Sequence, residues 1–114
     1  MARYFRPNSL PETLDLLRSQ PLTVLAGGTD HYPARVGQPL DDDLLDISGL
    51  TALRRIEEQA HHWRIGPLTT WSEIRDADLP AWFDGLKLAA GEVGGVQIQN
   101  AGTIGGNLCN ASPA

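Results

Sequence analysis

The chain predicts a mixed α and β fold, in which a small parallel α/β unit is followed by an α+β part. Three observations support this. Helical and strand signals alternate up to Asp46. Two short strand patterns and a helical pattern then follow from Leu53. Finally, six of the twelve glycines fall between Gly91 and Gly106, which marks a change in composition.

Ser9-Leu10-Pro11-Glu12 has the form of a capping box with proline near the first helical position. Leu10, Leu14 and Leu17 follow at helical spacing, so a helix is expected over about 10–19, ended by Pro21. Leu22–Ala26 is a short apolar run with β-branched members, expected as a buried strand. It enters Gly27-Gly28-Thr29-Asp30, where Thr29 or Asp30 would cap a short helix through about Val36, before Gly37 and Pro39. Asp41-Asp42-Asp43 reads as a solvated turn rather than a metal site, and Leu44-Leu45-Asp46-Ile47 as the next strand.

Leu53–Glu58 and Trp63–Gly66 read as two strands joined by a polar turn around Gln59–His61. His61 and His62 are adjacent and would point to opposite faces of a strand, which makes them surface residues rather than joint ligands of one metal. Thr69–Trp71 leads into a helical turn capped by Thr70 or Ser72. Pro80 opens a helix through about Ala90, with Trp82, Leu86 and Ala89/Ala90 spaced as a buried stripe. From Gly91 onward the glycine density argues against a regular helix, since each interior glycine costs about 1 kcal/mol relative to alanine.

The 114 residues suffice for one small domain. Hydrophobic residues make up 41% and charged residues 20%, as in an ordinary soluble domain. The formal net charge is −5 and no Lys/Arg cluster is longer than Arg54–Arg55, which disfavours a nucleic-acid backbone as partner. An anionic ligand would have to be held by backbone N–H groups. Cys109 is the only cysteine, so an internal disulfide and a four-thiolate iron–sulfur cluster are both excluded, and it reads as a small apolar filler. No apolar h-region follows Met1–Pro7 and no run approaches bilayer length, so the expected location is cytoplasmic, without membrane insertion.

Two segments carry candidate chemistry. In Val24-Leu25-Ala26-Gly27-Gly28-Thr29-Asp30, a strand runs into two glycines, a hydroxyl and a helix start. Bare backbone at such a turn can gather N–H groups on an anion, and a tight structural connection has the same pattern. Neither Gly-x-Gly-x-x-Gly nor a P-loop signature is present, which disfavours a Rossmann site or a nucleotide triphosphatase. In Gln97-Ile98-Gln99-Asn100-Ala101-Gly102-Thr103-Ile104-Gly105-Gly106-Asn107-Leu108-Cys109-Asn110-Ala111-Ser112-Pro113, the Gly105-Gly106 pair repeats that logic between Thr103 and Asn107. Two such loops in one small domain point to one ligand with two anionic groups, and a diphosphate fits.

Together the two segments resemble the FAD-binding medium subunit of the molybdenum hydroxylases, the family of carbon monoxide dehydrogenase, xanthine dehydrogenase and 4-hydroxybenzoyl-CoA reductase. Tyr4-Phe5-Arg6-Pro7, Leu44–Ser48 and Trp63-Arg64-Ile65-Gly66 resemble further family stretches, so the resemblance covers essentially the whole chain. It implies a vanillyl-alcohol-oxidase-like (PCMH-type) FAD-binding fold. An N-terminal α/β subdomain would span residues 1–52 and a partial second α+β subdomain residues 53–114, with FAD extended between them. The first loop, Leu25, Ala26, Gly27, Gly28, Thr29 and Asp30, would wrap the FAD diphosphate. The second, Gly102, Thr103, Ile104, Gly105, Gly106 and Asn107, would contact its other side.

The resemblance also implies an electron relay in which FAD takes electrons from 2Fe–2S clusters on a small subunit, while substrate is oxidised at a molybdenum cofactor on a large subunit. An acceptor such as NAD⁺, oxygen or a quinone then reoxidises the flavin. No residue here is a candidate catalytic acid, base or nucleophile, so the chain would place and tune the cofactor. The chain opens at Met1 directly on this domain, which is expected of a separate flavin subunit. The family's domain continues past Ser-Pro-Ala and carries a further flavin-contacting aspartate there, so Ala114 reads as a C-terminal truncation. The isolated chain is then expected to be inactive and either to self-associate through exposed sheet edges or to hold FAD weakly. Two alternatives stay open at this point: a non-catalytic remnant or docking module, and a binder of another diphosphate such as a nucleotide sugar or CoA.

Overall fold

The computed structural model describes residues 3–28 and 42–110. Three strands, β1 (Tyr4–Phe5), β2 (Thr23–Leu25) and β3 (Leu44–Asp46), form a parallel sheet in the order β1-β3-β2. The central strand pairs Leu44 with Tyr4 and Thr23, and Leu45 with Phe5 and Val24. Flanked on both sides, Leu45 is fully buried. The acidic turn before β3 is partly structural, because Asp43 accepts the Arg3 N–H at 2.8 Å and the Arg3 guanidinium at 3.0 Å. Those Arg3 backbone and side-chain hydrogen bonds hold its carboxyl below the ordinary value of 3.8.

Helix α1 (Leu10–Ser19) joins β1 to β2. Ser9 Oγ accepts the Glu12 N–H at 3.3 Å, Pro11 occupies the first turn, and Arg18 lies in the last turn, where a cation complements the helix dipole. The helix begins and ends as its sequence predicts, although Leu10, Leu14 and Leu17 stay largely exposed. Strand β2 is likewise buried only at Leu25, while Val24 is half exposed. The helix expected through Val36 lies outside the described residues.

A second, two-stranded sheet follows. The strand β4 (Ile56–Glu58) pairs antiparallel with β5 (Trp63–Ile65), Ile56 opposite Ile65, and Gln59 N–H donates to His62 O at 2.8 Å across the turn. The first strand is shorter than expected, because Leu53 ends a turn of 3-10 helix (Thr51–Leu53) instead. Four helices follow: α2 (Trp71–Asp76), α3 (Asp84–Gly91), α4 (Val96–Ala101) and α5 (Ile104–Asn110). Trp71, Ile74, Ala90 and Val93 form the core of this part, with Ile56, Ile65, Leu86 and Ile104 packed against it.

Thr70, the better of the two expected caps, begins α2 with a complete capping box. Its Oγ1 accepts the Glu73 N–H at 3.2 Å, and Glu73 Oε1 accepts the Thr70 N–H at 3.0 Å. Arg54 Nε adds a 2.8 Å ion pair to the same oxygen. Burial raises the Glu73 pKa, but the Thr70 and Arg54 hydrogen bonds outweigh it and leave the group below its ordinary value.

Three expectations need correction. Trp82 is not core: it is 72% exposed, in a 3-10 turn (Ala81–Phe83), and stacks on Phe83 with centroids 4.1 Å apart. The glycine-rich stretch is helical in two pieces, α4 and α5, and Gly105 and Gly106 sit in the first turn of α5. Glycine is tolerated there because short helices held by neighbouring backbone depend little on intrinsic propensity. Cys109 is exposed on α5 and fills no core position.

Candidate functional site

The first loop leaves the carboxyl end of β2, the end of a parallel sheet at which ligand crevices open. Leu25 is buried, and Gly28 has φ +76°, a left-handed conformation that glycine adopts without a Cβ penalty. Thr29 and Asp30 lie outside the described residues.

Asp46, opposite Leu25 on the central strand, is 8% exposed. One of its oxygens accepts the Ser48 N–H at 2.9 Å; the other accepts the Tyr4 hydroxyl and stands 3.9 Å from Arg6 Nε. Burial pushes the carboxyl up, yet the hydrogen bonds from Tyr4 and Ser48 and the Arg6 charge outweigh it, so its pKa falls below the ordinary 3.8. This network ties β1, β3 and the following 3-10 turn (Ile47–Gly49) together beside the first loop. Sequence reasoning passed over it. The available signal was Asp-x-Ser, an Asx-type local turn.

The second segment, Gly102–Asn107, follows α4 and continues into the first turn of α5, and it is anchored to residues 67–71. Gly102 O accepts the Trp71 N–H at 3.2 Å, and Thr103 forms an isolated antiparallel bridge with Thr70. Ile104 N–H donates to Thr69 O at 3.0 Å and Gly105 N–H to Pro67 O at 2.9 Å. Thr103 caps α5, its Oγ1 accepting the Gly106 N–H at 3.0 Å and its carbonyl the Asn107 N–H at 3.1 Å. The N–H groups of residues 104–107 are therefore used within the chain and do not form an open cradle. Gly105 serves close approach instead: a Cβ there would lie 2.7 Å from both Pro67 O and Pro67 Cβ.

Three groups are left to meet an anion on this side: the Thr103 N–H, which has no hydrogen-bond partner among the described residues, and two side chains. The Thr103 hydroxyl still has its own proton to donate. The half-buried Asn107 amide makes no hydrogen bond among the described residues. Beneath the loop, Trp71 is 8% exposed and its Nε1 has no partner among the described residues.

The tertiary structure brings the two loops into contact. A Cβ on Gly27 would lie 2.1 Å from Ala101 O and 3.2 Å from Gly102 Cα. Leu25–Gly28 and Gly102–Asn107, far apart in sequence, thus border one region. Its donors are neutral amides and hydroxyls, which suit an anionic group such as a diphosphate. His61 and His62 are exposed, and no cluster of metal-ligating side chains occurs among the described residues. No helix among them is long and apolar enough to cross a membrane.

The chain resembles known proteins over nearly its whole length. The nicotinate dehydrogenase FAD-subunit of Eubacterium barkeri is 38% identical over 120 residues, covering 97% of this chain and 39% of its own length. The caffeine dehydrogenase subunit beta of Pseudomonas sp. (strain CBB1) is 32% identical over 117 residues, covering 97% of this chain and 39% of its own. The solved structure of carbon monoxide dehydrogenase from Hydrogenophaga pseudoflava superimposes with a TM-score of 0.82 at 28% identity, over 98% of this chain and 40% of that one. The chain thus spans about 39% of the length of those two relatives. A family profile described as the FAD binding domain in molybdopterin dehydrogenase matches residues 1–114. The chain belongs to that family of FAD-binding domains.

Proposed function

We propose that this chain holds FAD within the flavin subunit of a molybdenum-containing oxidoreductase, with the diphosphate between the two glycine loops. The observation that carries the proposal is the contact of Gly27 with Ala101 and Gly102, which sets the two loops side by side. On the first side, backbone from Leu25, Ala26, Gly27 and Gly28, continuing through Thr29 and Asp30, would hold the diphosphate. On the second, Gly102 to Asn107 would present the Thr103 hydroxyl and the Asn107 amide. The bound flavin supplies the redox chemistry, and the chain's residues place it and exclude water around its phosphates.

In this reading residues 1–52 and 53–114 are two subdomains that meet at the cofactor. The relatives' names describe subunits and medium chains of dehydrogenases. By analogy, this protein would relay electrons from 2Fe–2S clusters of a small subunit, coupled to a molybdenum-cofactor large subunit, through FAD to an acceptor such as NAD⁺, oxygen or a quinone. A cytoplasmic setting belongs to the same proposal. So does self-association of the isolated chain, for which the β4–β5 pair, two-stranded among the described residues, supplies unpaired edges.

FAD titration followed by flavin fluorescence quenching and visible absorption tests the proposal. Saturable binding, lost in Gly28→Val and in Gly106→Val variants that remain folded, is the expected result. A protein that takes up no FAD but is stabilised by CoA or a nucleotide sugar would overturn it. Light scattering that finds a clean monomer with stoichiometric, tightly held flavin would overturn the self-association.

A further inference from the structure

Gln99 is the most buried polar group near the second loop outside the loop and its 67–71 anchor, with 4% of its surface exposed. It lies on α4, three residues before Gly102. Its Nε2 donates to Gly91 O at 2.9 Å and to Gly94 O at 3.2 Å, two carbonyls at the end of α3 and in the turn that follows. Its Oε1 accepts Arg75 Nη1 of α2 at 2.5 Å. The same guanidinium is held by Asp76, Nε to Oδ1 at 2.9 Å and Nη2 to Oδ2 at 3.2 Å. Both amide donors and the acceptor are therefore engaged. The two carbonyls require the nitrogen on their side, so the orientation of the amide is set by its partners.

The partners belong to two separate stretches of backbone, α2 and the end of α3 with the turn after it. Gln99 itself is buried, whereas Arg75 and Asp76 reach solvent; losing any of the three Gln99 hydrogen bonds leaves part of a buried amide unpaired, which favours one arrangement. Helix α4 makes one other side-chain hydrogen bond to a neighbouring helix among the described residues, from Ser72 Oγ of α2 to Asn100 Oδ1, and that one is exposed. Its N-terminal Gly95 makes no side-chain cap, and Val96 and Ile98 are exposed. Yet the C-terminal end of α4, Ala101, is the surface against which Gly27 packs, and Gly102 begins the second loop.

We propose that Gln99 is a positioning residue, which rests on the flavin reading above: it sets the depth and angle of α4, and through α4 the placement of Gly102–Asn107 against Gly27. It acts through the loop and does not itself touch the cofactor. The loop is aligned before the ligand arrives, so affinity is not lost to ordering it during binding.

Two substitutions in the intact protein separate this role from simple space filling. Gln99→Met keeps length and burial but removes all three hydrogen bonds. Gln99→Glu keeps the acceptor for Arg75 and removes both donors. Amide hydrogen exchange without cofactor should speed up at least ten-fold at Gly102, Ile104 and Gly105 in both variants, while Gly66 N–H, bonded to Arg55 O, is unchanged. FAD affinity should fall at least ten-fold in both, with an altered visible circular dichroism of the flavin that remains bound. Should Gln99→Met fail to fold, Gln99→Glu decides. Wild-type exchange and wild-type FAD binding in Gln99→Glu would overturn the proposal. An unmodified protein that takes up no FAD would overturn the flavin reading, and the exchange rates would still decide whether Gln99 places the loop.

Discussion

Gly27 and Ala101 are in direct contact: a side-chain carbon on Gly27 would stand 2.1 Å from the Ala101 carbonyl oxygen and 2.8 Å from its carbon. Both atoms met are backbone, which cannot swing aside as a side chain can. Gly27→Ala must therefore push the two loops apart. Forcing extra carbon into a packed site costs about 1–3 kcal/mol, and the same displacement should weaken FAD binding by about ten-fold, equivalent to about 1.4 kcal/mol. Thermal unfolding and flavin titration of the variant measure the two effects. An alanine variant with unchanged FAD affinity would show that the contact does not shape the site.

Gly85 gives the opposite expectation. It lies in the first turn of α3, is exposed, and a Cβ there meets nothing within 4 Å. Gly85→Ala should stabilise the fold by up to about 0.5–1 kcal/mol, chiefly by restricting the unfolded chain. A higher melting temperature with unchanged flavin binding is the expected outcome.

Thr70 joins helix capping to the second loop. It caps α2 through Glu73, and its backbone bridges Thr103. Thr70→Ala should cost about 1–2 kcal/mol from the lost cap, read as a lower denaturant midpoint at unchanged m. Because Glu73 Oε1 also loses the Thr70 hydroxyl, 2.9 Å away, the Arg54 ion pair alone should not restore stability.

The carboxyls of Asp46 and Glu73 predict how stability depends on pH. Both pKa values lie below their ordinary values of 3.8 and 4.5, so the folded state binds those protons less readily than the unfolded chain. The stabilisation is complete above the ordinary values. It is lost as pH falls from there through the lower folded values. Asp46→Asn should flatten the acid limb of a stability–pH profile. A profile as steep as the unmodified protein's would show that the Tyr4 and Ser48 hydrogen bonds do not favour the charged form.

Ile74 is fully buried at the centre of the second core. Ile74→Ala should cost about 2–5 kcal/mol, the range for truncating a buried aliphatic side chain. Chemical denaturation measures it, and a loss under 1 kcal/mol would mean that the cluster collapses around the gap.

Local signals in the chain carried much of the architecture. Ser9-x-x-Glu12 and Thr70-x-x-Glu73 place helix starts because a cap is satisfied within four residues. The Leu44–Asp46 strand is likewise marked by its own composition. Trp82 departs from its expected core position because helical spacing shows which residues share a face and not whether anything covers it. Gly105 and Gly106 are helical against their composition because the backbone that holds this turn, at residues 67–69, is distant in sequence.

The candidate site divides in the same way. By itself the sequence determined that two glycine pairs flanked by hydroxyls and amides exist, that no basic patch accompanies them, and that their wording resembles one flavoprotein family. Only the tertiary structure decided that the loops touch at Gly27 and Ala101, that the N–H groups of residues 104–107 are already engaged, and that Gln99 and Asp46 brace the segments on either side. A residue's type and near neighbours fix which hydrogen bonds it can make. Which partner it finds depends on backbone brought in from tens of residues away, and that information resides in the packing.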